Sequence, residues 1–171
     1  MILSENWLRE WVNPDLDSVA LADHLTMLGL EVDSLLPVAK GLCGVVVAEI
    51  LTADPHPNAD RLRVCKVNNG NEIVQIVCGA PNALVGLKAP LAKPGAQLPG
   101  GAKIKKAKLR GVASEGMLCS PAELCLSEDQ DGLLPLSPTA TVGQSILEYF
   151  DLDDYLIEIA LTPNRADCLS V

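Results

Sequence analysis

Apolar residues recur at helical spacing in two segments near the start of the chain. Residues 4–12 and 18–28 each carry such a pattern, and Ser4 stands where a side chain can cap the first helix. Ser18 opens the second segment, and Gly29 follows it where a left-handed residue commonly ends a helix. The pattern therefore predicts two short helices before residue 30.

From residue 44 the pattern changes to short runs rich in Val and Ile, separated by Gly, Pro and Asn. This texture is typical of an all-β unit. The tetrapeptide N-N-G-N at 68–71 predicts a tight turn that joins two strands into a hairpin. The expected strands are residues 44–51, 61–67, 72–79, 86–92 and the basic strip K-I-K-K-A-K-L-R at 103–110. Five short antiparallel strands favour a small barrel of the OB-fold type.

The side-chain alternation of the basic strip is not uniform. In a strand, alternate residues face the same side. Ile104 would place the core-facing side chains at even-numbered positions, whereas Ala107 and Leu109 would place them at odd-numbered positions. We therefore expect a β-bulge between Lys105 and Lys106. As a helix, the strip would spread its cations around the whole circumference, so a strand exposes more of them on one side.

Beyond the strip the pattern predicts two more helices and one strand. Ser120, Pro121 and Glu123 form a capping-box sequence, so a short helix should start there. Residues 142–150 are expected to be helical and residues 154–162 to form a strand.

Aromatic residues indicate how the chain is divided. Residues 39–148 contain no Phe, Tyr or Trp, and all five aromatic residues lie nearer the two ends. We therefore expect an α+β protein in which residues 1–38 and 149–171 form a small α/β domain, with the barrel at 39–148 inserted between them. Because Asp167 could cap a further helix just before the chain ends, we expect that small domain to be truncated.

Charge is divided unevenly along the chain. The net charge is -9, yet residues 61–110 hold ten of the thirteen Lys and Arg and a single acid, Glu72. That segment carries a net +9, and the remainder carries −18. Such asymmetry is the usual footprint of a surface that meets an anion such as phosphate, although a solvated face explains the charge alone equally well.

Composition excludes several classes of protein. The N-terminus lacks a secretory pattern, and nowhere do 18 apolar residues follow one another, so we expect a cytoplasmic protein with reduced thiols. The six cysteines form no C-x-x-C pair and only two histidines occur, which argues against a structural metal site.

One segment has the residue types of a catalytic site. D-P-H-P-N-A-D-R-L at 54–62 brings His56, Asp60 and Arg61 close together, but two prolines bracket the histidine. A rigid loop that delivers Arg61 and Arg63 to a strand is the simpler interpretation, and we expect no catalytic residue. Asn82, in A-P-N-A, could contact RNA or close a loop.

Three motifs identify a family. H-P-N-A-D-R-L at 56–62, V-C-G-A-P-N at 77–82 and L-R-G-V-A-S-E-G-M-L-C-S-P-A-E-L at 109–124 resemble the tRNA-binding OB domain family. M-I-L-S-E-N-W-L-R-E-W-V at the start, L-G-L-E-V at 28–32 and L-T-P-N-R-A-D-C-L-S at 161–170 extend the resemblance, over essentially the whole chain, to the N-terminal part of bacterial phenylalanyl-tRNA synthetase beta chains.

The resemblance implies a non-catalytic, tRNA-binding part of an α2β2 synthetase. The alpha chain of that family uses ATP and Mg²⁺, and the partner nucleic acid is the phenylalanine tRNA; no cofactor is implied for this segment. Carried over by position, the RNA-facing residues are Lys103, Lys105, Lys106, Lys108, Arg110, Ser114 and Met117, followed by Arg61, Arg63 and Asn82.

The missing aromatics limit how RNA can be bound. Many OB domains stack bases on aromatic side chains, which residues 39–148 do not offer. We therefore expect contact with the phosphate backbone of folded tRNA. The alternative is a spacer or subunit-contact module whose basic strip meets acidic protein.

Overall fold

The computed structural model describes residues 1–165, 167 and 168 and divides the chain into two compact units. The first contains Met1–Lys40 and the described residues from Asp151 onward, and the second contains Gly41–Phe150. The elements, in chain order, are β1 Ile2–Ser4, α1 Glu5–Trp11, α2 Ser18–Met27, β2 Glu31–Pro37, β3 Cys43–His56, β4 Ala59–Asn68, β5 Ile73–Cys78, β6 Lys88–Gln97, β7 Ala107–Leu109, β8 Val112–Ser114, β9 Met117–Leu118, α3 Ile146–Tyr149, β10 Tyr155–Ala160 and a 3-10 turn at Pro163–Arg165.

Strands predominate and helices are few, as expected for the α+β assignment. Over the described residues, no helix is both long enough and apolar enough to cross a membrane. The helix expected after Asp167 falls on residues outside those described.

The first unit is a three-stranded antiparallel sheet carrying the two predicted helices. Its strand order is β1-β10-β2, so a strand from the end of the chain lies between two strands from its beginning. Leu3, Leu21, Ile157 and Ile159 form its buried core. Burial of these side chains accounts for why β10 pairs with strands more than 115 residues distant in sequence.

Side chains cap both helices. The Ser4 hydroxyl accepts a hydrogen bond from the Trp7 amide at 3.1 Å, as predicted. The second helix opens at Ser18, as predicted, and its N-cap is Asp17, whose carboxylate accepts from the Ala20 amide at 2.8 Å. Gly29 has a φ of 89°, which confirms the left-handed position after this helix.

The second unit is built on a five-stranded antiparallel sheet in the order β5-β4-β3-β6-β9. The predicted hairpin is confirmed: β4 and β5 pair from Arg63 opposite Cys78 to Asn68 opposite Ile73. The Asn69 side chain closes its turn by accepting from the amides of residues 71 and 72, at 3.0 Å each. Ile50, Ile76 and Leu91 are fully buried at the centre of this unit.

The basic strip is not the fifth strand of this sheet, and that prediction was wrong. The fifth strand is β9, which pairs with Leu91 and Ala92 of β6. The backbone of Ile104 bonds to Gly95 and Ala96 near the end of β6, and Lys103 forms an isolated bridge with Gln97, but regular strand pairing begins only at Ala107, with β8 as the partner. The change of side-chain parity therefore reflects a switch of pairing partner, not a β-bulge, and Ala107 and Leu109 are exposed.

The segment after β9 forms turns where a helix was expected. The capping-box contacts exist, with the Ser120 amide donating to Glu123 at 2.7 Å and the Glu123 amide donating to Ser120 Oγ at 3.3 Å. Cys125 nevertheless has a φ of 55°, which ends the turn before a helix can propagate. The helix expected at 142–150 is confirmed in a shorter form, α3, capped by Ser145.

Candidate nucleic-acid interface

The strip folds into a short hairpin, called here the basic hairpin, that comprises residues 103–114. Its strands β7 and β8 pair Ala107 with Ser114 and Leu109 with Val112. The connecting residues, Arg110 and Gly111, have φ values of 50° and 93°, as a two-residue turn of the primed type requires. Five cationic side chains on this hairpin are exposed: Lys103, Lys105, Lys106, Lys108 and Arg110.

One of the five cations is neutralised within the protein. Lys106 Nζ lies 2.6 Å from Glu115 Oε1, and the hydrogen bond to this carboxylate raises the pKa of the lysine. In the part of the chain that the structure describes, the other four hairpin cations form no ion pair. Four positive charges are therefore available to an external anion.

The H-P-N turn, residues 56–58, contacts the tip of the basic hairpin. His56 is buried, and its Nδ1 accepts from the Asn58 amide at 3.0 Å. This leaves Nε2 protonated, and Nε2 donates to the Leu109 carbonyl at 3.1 Å. Asn58 Nδ2 donates to the Arg110 carbonyl at 3.3 Å. Both ring nitrogens of His56 are thus occupied within the fold, which agrees with a loop role and leaves neither nitrogen to act as a base.

The base of the hairpin is attached to the edge of β5. Ser114 is 3% exposed, and its hydroxyl accepts from the Val77 amide at 3.1 Å and donates to the Gly116 carbonyl at 2.9 Å. Gln75 adds two bonds, from its side-chain amide to Ala113 and from the Glu115 amide to its own carbonyl. The Ser114 hydroxyl therefore serves the fold itself.

Two further nominated residues also make internal hydrogen bonds. The Asn82 side chain donates to the Leu133 carbonyl at 2.9 Å and accepts from the Leu133 amide at 2.8 Å. Arg63, half-buried on β4, donates to the Ala83 carbonyl at 3.2 Å. Of the two strand arginines, Arg61 is the exposed one. Asn82 thus makes the contacts of a residue that closes a loop, which is one of the two alternatives that the sequence left open.

Met117 lies on the wall of a cleft of about 780 Å³. Residues 77–81 form one side, residues 117–123 the other, and residues 130–133 close it. Glu123 and Asp131 are among its lining residues, and none of the nominated cations is. The cleft is therefore separate from the cationic surface of the basic hairpin.

Burial suppresses the ionisation of two of the thiols. All six cysteines are free, and burial raises the pKa of Cys65 to about 11 and that of Cys119 to about 12. Among the residues that the structure describes, no group of three or more His, Cys, Asp or Glu could hold a metal ion. The buried cysteines behave as small apolar side chains.

Sequence reasoning located the cations but missed three residues that organise them. His56 and Asn58 hold the hairpin tip, and Glu115 pairs with Lys106. Glu115 is the first acid after the basic strip and the H-P-N turn belongs to a motif noted above, but neither signal shows which residues contact each other. The contacts of His56 and Asn58 span more than 50 residues, which no local pattern records.

Comparison with known proteins identifies the family of the chain. Residues 45–145 match the family model described as "Putative tRNA binding domain", and this match covers more than half of the chain. The chain therefore belongs to the tRNA-binding domain family. Among solved structures it resembles a MetRS-related protein from Pyrococcus horikoshii, with a TM-score of 0.44, 27% identity and coverage of 60% of this chain and 87% of that one.

Over its whole length the chain is similar to phenylalanine–tRNA ligase beta subunits. It is 62% identical to that subunit from Acinetobacter baylyi and 58% identical to that from Hahella chejuensis, each over 100% of this chain. In both cases the chain spans 22% of the relative's length. These matches confirm the resemblance drawn from the motifs.

Proposed function

We propose that this chain is an auxiliary tRNA-binding module of a phenylalanine–tRNA ligase beta subunit. Its basic hairpin holds the phosphate backbone of folded tRNA, and the module supports aminoacylation without a catalytic group of its own. The observation that carries the proposal is the exposure of five cations on one short hairpin within the matched family region. The proposed phosphate contacts are Lys103, Lys105, Lys108 and Arg110. Lys106 is not among them because it forms an ion pair with Glu115.

The mode of recognition follows from the residue types of the segment that contains the hairpin. Residues 39–148 include no aromatic residue, so the proposed contact uses no aromatic stacking from this segment. Lysines and an arginine on a twisted two-stranded ribbon suit phosphate oxygens, which carry no sequence information. Binding should therefore be strongly salt-dependent and show little sequence preference.

The remaining features of the proposal concern the larger assembly. We infer that the five-stranded sheet closes into an OB-type barrel, which the bonds between β5 and residues 113–116 support. In the complete cytoplasmic enzyme, the alpha chain would be the protein partner and would use ATP and Mg²⁺ away from this segment. Arg61, Arg63 and Asn82 are the less central proposed RNA contacts. Met117 and Ser114 remain nominated by the resemblance, although the hydrogen bonds of Ser114 and Asn82 lie within the fold.

Charge reversal tests this function. Lys105→Glu and Lys108→Glu each change the net charge by the same amount as Lys40→Glu, which lies outside the basic hairpin. We expect each hairpin reversal to weaken binding of a phenylalanine tRNA transcript on the order of tenfold, since it replaces an attraction with a repulsion. Lys40→Glu should change binding little.

The same variants separate this function from a subunit-contact role. If the hairpin instead meets acidic protein, reversal would impair assembly of the full-length beta subunit with its alpha chain and leave tRNA affinity unchanged. Equal losses of tRNA affinity in all three variants would show a general charge effect and would remove the hairpin from the interface.

A further inference from the structure

We propose that His56 and Asn58 are positioning residues that set the conformation of the basic hairpin for RNA binding. The inference rests on the proposed function and extends it to a turn that lies outside the basic hairpin. It gives the H-P-N turn, which has the residue types of a catalytic loop, a mechanical role instead.

The hairpin cannot hold its own shape. Each of its strands has three residues, and all three residues of β7 are exposed. An isolated two-stranded hairpin is marginal in water, so its conformation depends on attachments to the rest of the unit. The base is attached through Ser114 and Gln75, and the tip is attached through Leu109 and Arg110.

The tip needs its attachment because its backbone is unfavourable. Arg110 has a φ of 50°, a left-handed conformation that a side chain with a Cβ adopts only where the surroundings impose it. Asn58 donates to the carbonyl of this same residue, and His56 donates to the carbonyl just before it. Two consecutive carbonyls at the strained turn are therefore held by side chains of one other turn.

The donor at His56 is fixed in the required form. The Asn58 amide occupies Nδ1, so the proton resides on Nε2, which faces Leu109. Because the ring is 6% exposed, water has little access to this bond. A single turn thus sets both the tautomer of the histidine and the path of the hairpin tip.

The consequence for binding is preorganisation. Lys108 directly precedes the two held carbonyls and Arg110 carries the second of them, so both side chains start from a fixed backbone. Without the attachment the tip would have to be ordered when RNA binds, which lowers affinity without removing a contact. We expect His56→Ala to weaken tRNA binding about three- to tenfold, as loss of one or two buried hydrogen bonds implies.

A double-mutant cycle in the 171-residue chain tests the proposal. Binding of a phenylalanine tRNA transcript is measured for His56→Ala, for Lys108→Ala with Arg110→Ala, and for the combination. If His56 acts through the tip, its effect should vanish once the tip cations are gone. Additive losses would show that His56 contributes independently, which would overturn the proposal. His56→Gln, whose amide can donate to Leu109, should recover part of the affinity.

Hydrogen exchange provides a readout that does not depend on RNA. In Asn58→Ala, amides of residues 107–112 should exchange faster while those of the β4–β5 hairpin stay protected; Asn71→Ala, at an exposed turn asparagine, is the matched control. Unchanged exchange in Asn58→Ala would overturn the proposal. A third outcome separates the two proposals. If the native chain binds no tRNA but Asn58→Ala still exchanges faster at residues 107–112, the proposed function is refuted and the positioning of the hairpin by Asn58 stands.

Discussion

Replacing Glu115 by Gln should strengthen the salt dependence of tRNA binding. Glu115 holds Lys106 Nζ at 2.6 Å, and their side chains are 39% and 67% exposed. An ion pair this exposed neutralises the lysine while adding little to stability, because water and salt compete with it. The substitution removes the charge that competes with phosphate for Lys106 and keeps the shape of the side chain.

The expected change in the salt dependence follows from the number of cations that can contact phosphates. With Lys103, Lys105, Lys108 and Arg110 in contact with phosphates, the slope of log K against log salt should be about −3. With Lys106 freed as a fifth contact the slope should become about −4. Between about 50 and 200 mM salt, the variant should therefore lose about fourfold more affinity than the native chain.

Fluorescence anisotropy with a labelled tRNA transcript at several salt concentrations measures the slope, and thermal unfolding verifies the fold. Glu72→Gln is the matched control, since Glu72 also acts on Lys106 through space but is not its hydrogen-bond partner. Lys106→Ala should leave the native slope nearly unchanged. The reasoning is refuted if Glu115→Gln keeps the native slope or if Lys106→Ala flattens it by a whole contact.

Two other substitutions and one pH dependence test the fold around the site. Gly116→Ala should lower the free energy of unfolding by about 2 kcal/mol or more, because its Cβ would lie 2.6 Å from the Ala92 carbonyl oxygen at a φ of 147°. Asn82→Ala should lower it by about 1–3 kcal/mol by leaving the Leu133 amide and carbonyl without partners, with little change in tRNA affinity. Burial raises the pKa of Cys119 from 9.0 to about 12, so its contribution to stability is complete below pH 9 and is lost as the pH rises toward 12.

Chemical denaturation measures all three effects, each with its own control. Gly100→Ala introduces a Cβ into open space and should leave the free energy of unfolding unchanged. Asn71→Ala, at an exposed position, should also leave it unchanged. For the cysteine, Cys119→Ser removes a buried thiol and Cys125→Ser an exposed one, and only the first should alter the alkaline decline. A Gly116→Ala protein of native stability would contradict the close approach of Gly116 to the Ala92 carbonyl of β6. A loss of tRNA affinity in a stable Asn82→Ala protein would return Asn82 to the interface.

Local pattern predicted most of the elements because their causes are local. Helical spacing near the start, the N-N-G-N turn and the Val- and Ile-rich runs each record a short-range preference, and the corresponding elements are present. Pattern failed where one feature has two explanations. The apolar positions of the basic strip do change from even to odd, and the backbone pairing does change there. A β-bulge and a change of strand partner produce the same pattern in the sequence, so the pattern alone does not distinguish them.

The cue that distinguishes them was Gly111. A glycine directly after Arg110 permits a two-residue turn, which turns the strip back onto residues 112–114 and removes Leu109 from the core. The capping-box sequence at 120–123 likewise formed its contacts without a helix, since capping supplies less than the packing a short helix needs.

For the candidate site, the charges could be predicted and their supports could not. A cluster of lysines in the sequence is enough to predict an exposed cationic surface. The bonds from His56 and Asn58 to the hairpin depend on where the folded chain brings two distant turns, so their positioning role emerges only from the structure.

The central claim is that the basic hairpin is the surface that meets tRNA. Amide chemical-shift mapping of the 171-residue chain, titrated with a phenylalanine tRNA transcript, tests it most directly. The account predicts that the largest shifts occur in residues 103–114 and diminish as salt is added. Binding that leaves these residues unshifted, with the changes concentrated elsewhere in the chain, would contradict it.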